Sequence, residues 1–130
     1  MKFLVAYNGT KEAEAALELA RTHAKIFNAE LVVVSSSEGG KAEKLEDINK
    51  IKHDLEGIQK NLSSDGIGCR VEQLARGLTP GEDIVLYAEE NEIDQIYVGI
   101  RKKSRTSKLI LGSTAQFIIL KAKCPVISVK

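Results

Sequence analysis

The chain has 130 residues, 43% of them apolar, and its 19 basic and 18 acidic side chains leave a formal charge of +1. That length and apolar content suit one domain, residues 1–130, with an ordinary core, and the charge balance excludes a general affinity for nucleic acid or for a membrane surface. No apolar run reaches the roughly 18 residues of a membrane span, and the apolar run at Met1 to Tyr7 is too short for a leader's core, so a soluble, cytoplasmic protein is expected.

Phe3 to Tyr7 reads as the first strand, and Asn8-Gly9-Thr10 stops it with a turn and a potential helix cap. Ala13, Ala16, Leu17, Ala20, Ala24 and Phe27 then recur at helical spacing, and Asn28 suits the left-handed conformation that ends a helix. Leu31 to Val34 is a second, wholly apolar strand, followed by a loop from Ser35 to Gly40. A long helix carries Leu45, Ile48, Ile51, Leu55, Ile58 and Leu62 on one stripe and ends at Ser63-Ser64-Asp65-Gly66. Ile67, Cys69 and Val71 alternate with Gly68, Arg70 and Glu72, the pattern of a strand near a sheet edge.

Thr79-Pro80-Gly81-Glu82 has the spacing of a capping box with proline in the first helical position, and Ile84, Tyr87 and Ala88 give that third helix its buried face. Ile96 to Gly99 is the fourth strand, Ser113 to Lys121 the fourth helix, and Val126 to Val129, after Pro125, the fifth strand. Such alternation implies an α/β fold, a doubly wound five-stranded parallel sheet with helices on both faces. Right-handed crossovers with one reversal of winding make the expected order 3-2-1-4-5. Ligands on such sheets bind beyond the carboxyl ends of the strands at the reversal, here between strands 1 and 4.

Two segments meet there: Asn8-Gly9-Thr10 and the stretch from Gly99 to Gly112-Ser113. The second carries Arg101, Lys102, Lys103, Arg105 and Lys108 within eight positions, then enters an apolar helix. A helix start presents free backbone N–H groups and the positive end of the helix dipole, and phosphate is the ligand that suits it. Gly9-Thr10 serves equally well as a plain turn and cap. Cys69 and Cys124 form no CxxC pair and lack a nearby histidine, so they read as two buried thiols, with no metal site. His23 and His53 read as surface histidines and Glu89-Glu90 as a solvated helix face. No Walker A sequence, dinucleotide GxGxxG or catalytic constellation is present, so an enzyme is not expected.

With these residues in view, the chain resembles a universal stress protein over essentially its whole length. Nucleotide-binding members of that family carry glycine, two residues, glycine, nine residues, then glycine and serine or threonine. Here Gly99, Lys102 and Gly112-Ser113 keep the spacing, with lysine in place of the second glycine. Asn8-Gly9-Thr10 stands where members often carry Asp, Gly and Ser, and Ala122 to Val129 resembles the family's usual end. The resemblance implies an adenine nucleotide, ATP or AMP, with Mg2+ as an optional companion of a triphosphate. It implies a binding set of Tyr7, Asn8, Gly9, Ser36, Val98, Gly99, Arg101, Lys102, Gly112, Ser113 and Thr114, in which Gly112, Ser113 and Thr114 take the phosphates. Lys102 adds a charge and restricts φ where the family keeps a glycine. The resemblance further implies a homodimer joined through the last strand, Val126 to Val129. The competing reading is a dimeric, stress-related interaction protein that has lost nucleotide binding.

Overall fold

A computed structural model describes residues 1–40, 43–101 and 111–130 of the chain. Strands and helices alternate as β1 (Lys2–Ala6), α1 (Lys11–Phe27), β2 (Glu30–Ser36), α2 (Leu45–Ser64), β3 (Cys69–Leu74), α3 (Pro80–Glu90), β4 (Gln95–Gly99), α4 (Ser113–Lys121) and β5 (Val126–Val129). The five strands form one parallel sheet in the order β3-β2-β1-β4-β5. Val5 stands opposite Val33 and Tyr97, and Ala6 opposite Val34 and Val98, so the carboxyl ends of the three central strands finish nearly level.

Because side chains of a strand alternate between faces, the continuous apolar runs of β1, β2 and β4 feed two cores at once. Phe3, Val5, Leu31, Val33 and Tyr97 pack with Ala16 and Ala20 of α1 and Leu55 and Leu62 of α2. Leu4, Ala6, Val32, Val34, Ile96 and Val98 pack with Ile84 and Tyr87 of α3 and Ile118 of α4. Each fully buried Val or Leu contributes about 1.5–3 kcal/mol, so the central strands are the most stable part of the sheet.

The two sheet edges differ. The outer side of β3 is served by α2: Gln59 Nε2 donates to the carbonyl of Cys69 at 3.3 Å, and Gln73 Nε2 donates to that of Ile48 at 3.0 Å. β3 also carries Arg70 and Glu72. The other edge, β5, is Val-Ile-Ser-Val, without a charge. Ile96 N–H donates to Pro125 and Ile100 N–H to Val129, so alternate residues of β5 face β4 and the backbone groups of Val126 and Ser128 point away from it.

Most expected boundaries hold within a residue or two, and several local expectations are corrected. Ser35 and Ser36 belong to β2, where they pair with Gln73 and Leu74 of β3, and Ile67 precedes β3. Asn28 does end α1 in the left-handed conformation, at φ 53°. Thr79 caps α3, but its hydroxyl donates to Glu82 Oε1 at 2.9 Å, so the glutamate answers the cap's side chain where a capping box would have it answer the backbone. The helix 2 stripe reaches the core through Leu55 and Leu62, while Leu45 is 70% exposed. Cys69 and Cys124 are free and half-buried. His23 is half-buried and bonded to buried Tyr97, unlike exposed His53.

Candidate functional site

A cleft of about 460 Å³ opens at the carboxyl ends of β1, β2 and β4, a size that suits a small-molecule ligand. Its walls come from four helix–strand junctions. Tyr7, Asn8 and Thr10 follow β1, Ser36 ends β2, Pro80 and Ile84 belong to α3, Val98 to Arg101 close β4, and Gly112 to Ala115 start α4. Of the residues implied by the resemblance, Tyr7, Asn8, Ser36, Val98, Gly99, Arg101, Gly112, Ser113 and Thr114 come together there. Gly9 does not line the cleft: at φ +81° it makes the turn beneath it, beside Ile51 of α2. Lys102, with Lys103, Arg105 and Lys108, lies outside the described residues. Thr10, expected at this junction with Asn8 and Gly9, lines the cleft too, whereas sequence reasoning missed Glu12, Pro80 and Ile84, which the cleft also includes.

The β1–α1 turn fixes the first wall. Asn8 Oδ1 accepts from both the backbone N–H and the hydroxyl of Thr10, at 3.2 and 2.7 Å, and Thr10 Oγ1 in turn accepts from Ala13 N–H at 3.2 Å. With its oxygen so engaged, Asn8 has only its amide N–H groups left to offer a ligand. Tyr7 is buried, and its hydroxyl donates to Asp54 Oδ2 at 3.4 Å. Burial, and then the neighbouring carboxylates of Asp54 and Glu14, push this phenol up to about 12.

The two cleft glycines do different work. A Cβ on Gly99 would lie 2.4 Å from the backbone carbon of Glu12 and 2.5 Å from its oxygen, so this glycine exists to let the end of β4 touch the start of α1. Gly112 is the N-cap of α4 at an ordinary φ of −66°, and a Cβ there would meet nothing within 4 Å among the described residues. Neither backbone conformation nor packing of those residues requires a glycine at 112.

The helix starts around the cleft are electrostatically unequal. α1 has the Thr10 cap and Glu12 and Glu14 in its first turn, and α3 has the Thr79 cap with Glu82 and Asp83. α4 begins at Gly112 with no side-chain cap and no acidic residue in its first turn. Its first backbone N–H groups are therefore unanswered by an anion of the helix itself, and the dipole's positive end faces the cleft. Glu12 on the rim is met by Arg101 Nε at 3.8 Å. On the far side, Ser36 Oγ donates to Asp83 Oδ2 at 2.7 Å, and Asp83 is wholly buried.

The family model described as "Universal stress protein family" matches residues 1–130. The chain belongs to that family. Two solved universal stress protein structures from Archaeoglobus fulgidus are similar to it across 100% of its length and 98% of theirs. One is 38% identical with a TM-score of 0.89; the other, solved in complex with dAMP, is 34% identical with a TM-score of 0.82. Among curated universal stress proteins, one from Methanocaldococcus jannaschii is 33% identical over 79 residues, 61% of this chain. The chain covers only 48% of that relative's length and 44% of a second from the same organism, whereas it covers 96% of a Thermus aquaticus relative at 29% identity. The sheet order expected from the alternation of elements is the observed one, and the full-length likeness to these two structures shows the same fold. Among the described residues no helix is long and apolar enough to cross a membrane, and no group of three His, Cys, Asp or Glu could hold a metal ion.

Proposed function

We propose that this chain binds an adenine nucleotide, AMP or ATP, in the cleft at the carboxyl ends of β1, β2 and β4. It acts there as a small regulatory module of the cytoplasm and not as an enzyme. The observation that carries this reading is the start of α4, the one helix end on the cleft with neither a side-chain cap nor a first-turn carboxylate. Phosphate supplies the charge that its N–H groups lack. Gly112, Ser113 and Thr114 take the phosphates, and the Asn8 amide turns toward the ribose. Ala6, Val98, Pro80 and Ile84 supply apolar walls for the base. The dAMP complex of a relative 34% identical over the full chain supports the same ligand class. With a triphosphate, Mg2+ binds through the ligand's own phosphate oxygens. The half-buried free thiols Cys69 and Cys124 fit a reducing compartment.

We propose in addition a homodimer through β5, because its uncharged edge directs the backbone groups of Val126 and Ser128 outward. The dimer is equally at home in the competing reading, an interaction protein without a nucleotide. Titration calorimetry of exhaustively dialysed protein with AMP and ATP separates the two. Saturable binding that weakens with salt is expected. Absence of binding at millimolar nucleotide overturns the first reading and leaves the second.

A further inference from the structure

Ser36 ends a chain of contacts that runs from the cleft into the body of the protein. Its Oγ lies 2.7 Å from Asp83 Oδ2, Asp83 Oδ1 accepts from Arg76 Nε at 2.6 Å, and the Asp83 carbonyl accepts from Arg76 Nη2 at 3.3 Å. Arg76 Nη1 then donates to Glu90 Oε1 at 2.7 Å. A carboxylate has acceptors only, so the hydrogen between Ser36 and Asp83 is the serine's own. Asp83 is wholly buried and held by the same guanidinium at both its side chain and its carbonyl, so it does not turn away to release that hydrogen. Toward the cleft, Ser36 has lone pairs left and no donor.

We infer that Ser36 is a selectivity residue whose polarity is set by Asp83 and Arg76: it takes a hydrogen-bond donor from the ligand's base and refuses an acceptor. The inference rests on the nucleotide reading above and adds to it a preference for a 6-aminopurine over a 6-oxopurine. The base lies at this end for two reasons. The apolar walls of Pro80 and Ile84 adjoin Ser36, and the α4 start that attracts anions follows β4, with β1 between it and β2. The carboxylate behind Ser36 also opposes a phosphate here.

The test compares AMP with inosine monophosphate, which has an oxygen in place of the 6-amino group and a hydrogen on N1, by titration calorimetry on the full chain. Wild type favours AMP by about tenfold or more, since the 6-oxo group would face lone pairs with no hydrogen between them. Ser36→Ala brings the two ligands within about twofold, mainly by weakening AMP. Asp83→Asn keeps its oxygen toward Arg76 and turns an amide N–H toward Ser36, freeing the serine hydrogen for the cleft, so its preference reverses toward inosine monophosphate. If Asp83→Asn does not fold, Ser36→Ala decides alone, since Ser36 reaches the cleft surface and its loss leaves the sheet intact. Equal binding of both ligands to wild type, or an undiminished AMP preference in Ser36→Ala or in folded Asp83→Asn, overturns the inference while the nucleotide reading stands. Failure of wild type to bind either ligand at millimolar concentration overturns both.

Discussion

His23 Nδ1 lies 2.6 Å from the hydroxyl of Tyr97, a fully buried side chain of β4. Gln95 Nε2 donates to the same oxygen at 2.7 Å, so the Tyr97 hydroxyl is hydrogen-bonded to a side chain of β4 and to one of α1 at once. The rings also meet edge to face, 5.5 Å apart. Tyr97→Phe keeps the ring and strips both partners of this oxygen. Chemical denaturation should show a loss of about 1–3 kcal/mol. An unchanged midpoint would mean that water replaces the hydroxyl at no cost.

Gly99 and Gly112 should respond oppositely to a side chain. Gly99→Ala forces a methyl into the backbone of Glu12, 2.4 Å away, and should cost about 1–3 kcal/mol or more of stability. At Gly112 an added Cβ meets no described atom, so Gly112→Val should cost only about 1 kcal/mol, the usual loss when a branched residue takes a helix N-cap. Its effect belongs to the ligand: nucleotide affinity should fall at least tenfold if phosphate approaches the α4 backbone, a loss of about 1.4 kcal/mol. Calorimetry and thermal melts on both variants separate packing from binding.

Alkaline pH should unfold the protein through its tyrosines. Tyr7 is pushed up to about 12, chiefly by burial and then by Asp54, and burial raises Tyr87 and Tyr97 as well. Below the unfolded value of 10 every phenol is neutral in both states, and this contribution is fully present. As pH climbs from 10 to about 12 the unfolded chain ionises first, so stability is lost through that window. Melts across it should steepen in wild type and flatten in Tyr7→Phe.

Thr79→Ala removes the hydroxyl that accepts from Glu82 N–H at 3.5 Å and donates to its carboxylate at 2.9 Å. The loss should be about 1 kcal/mol, the usual value of a helix cap. Thr79 does not line the cleft, so nucleotide affinity should stay within twofold, about 0.4 kcal/mol. An affinity change exceeding the stability change would make Thr79 itself part of the site.

Ser128→Pro should act on association and leave the fold in place. Ser128 N–H points away from β4, so proline removes an outward donor without breaking the ladder to Val98, whereas Ile127 faces inward and its replacement would damage the sheet itself. Sedimentation equilibrium should show a dimer for wild type and a monomer for the variant at tens of micromolar, an order-of-magnitude range for such contacts. A wild-type monomer would remove β5 as the interface.

Periodicity and turn chemistry made the architecture legible, because here the local preferences agree with the tertiary fold: Thr10 caps, Asn28 goes left-handed, and β5 and α4 start and stop where their patterns do. What the sequence hid were contacts between residues far apart in the chain. Nothing near His23 announces Tyr97, 74 positions on. The contact of Gly99 with Glu12 leaves no mark in the sequence although Gly99 does line the cleft, and Asp83 reads as one of two first-turn acids of α3 until Ser36 and Arg76 converge on it. Pro80 and Ile84 escaped notice as cleft residues because a capping signal and an apolar stripe fully explain their types.

The unequal edges of the sheet limit how far copies of this chain can add to one another. A sheet with two bare edges can recruit strands from both sides and grow into an open-ended ribbon. Among the described residues the two edges differ: β5 carries no charge, while β3 has charges and glutamine contacts with α2 along its margin. Two copies meeting through β5 about a two-fold axis consume the same edge on each, and what the pair then presents outward is a β3 margin at either end. In the proposed pair, assembly by strand addition would therefore terminate at two, and the asymmetry of the sheet would guard against polymerisation.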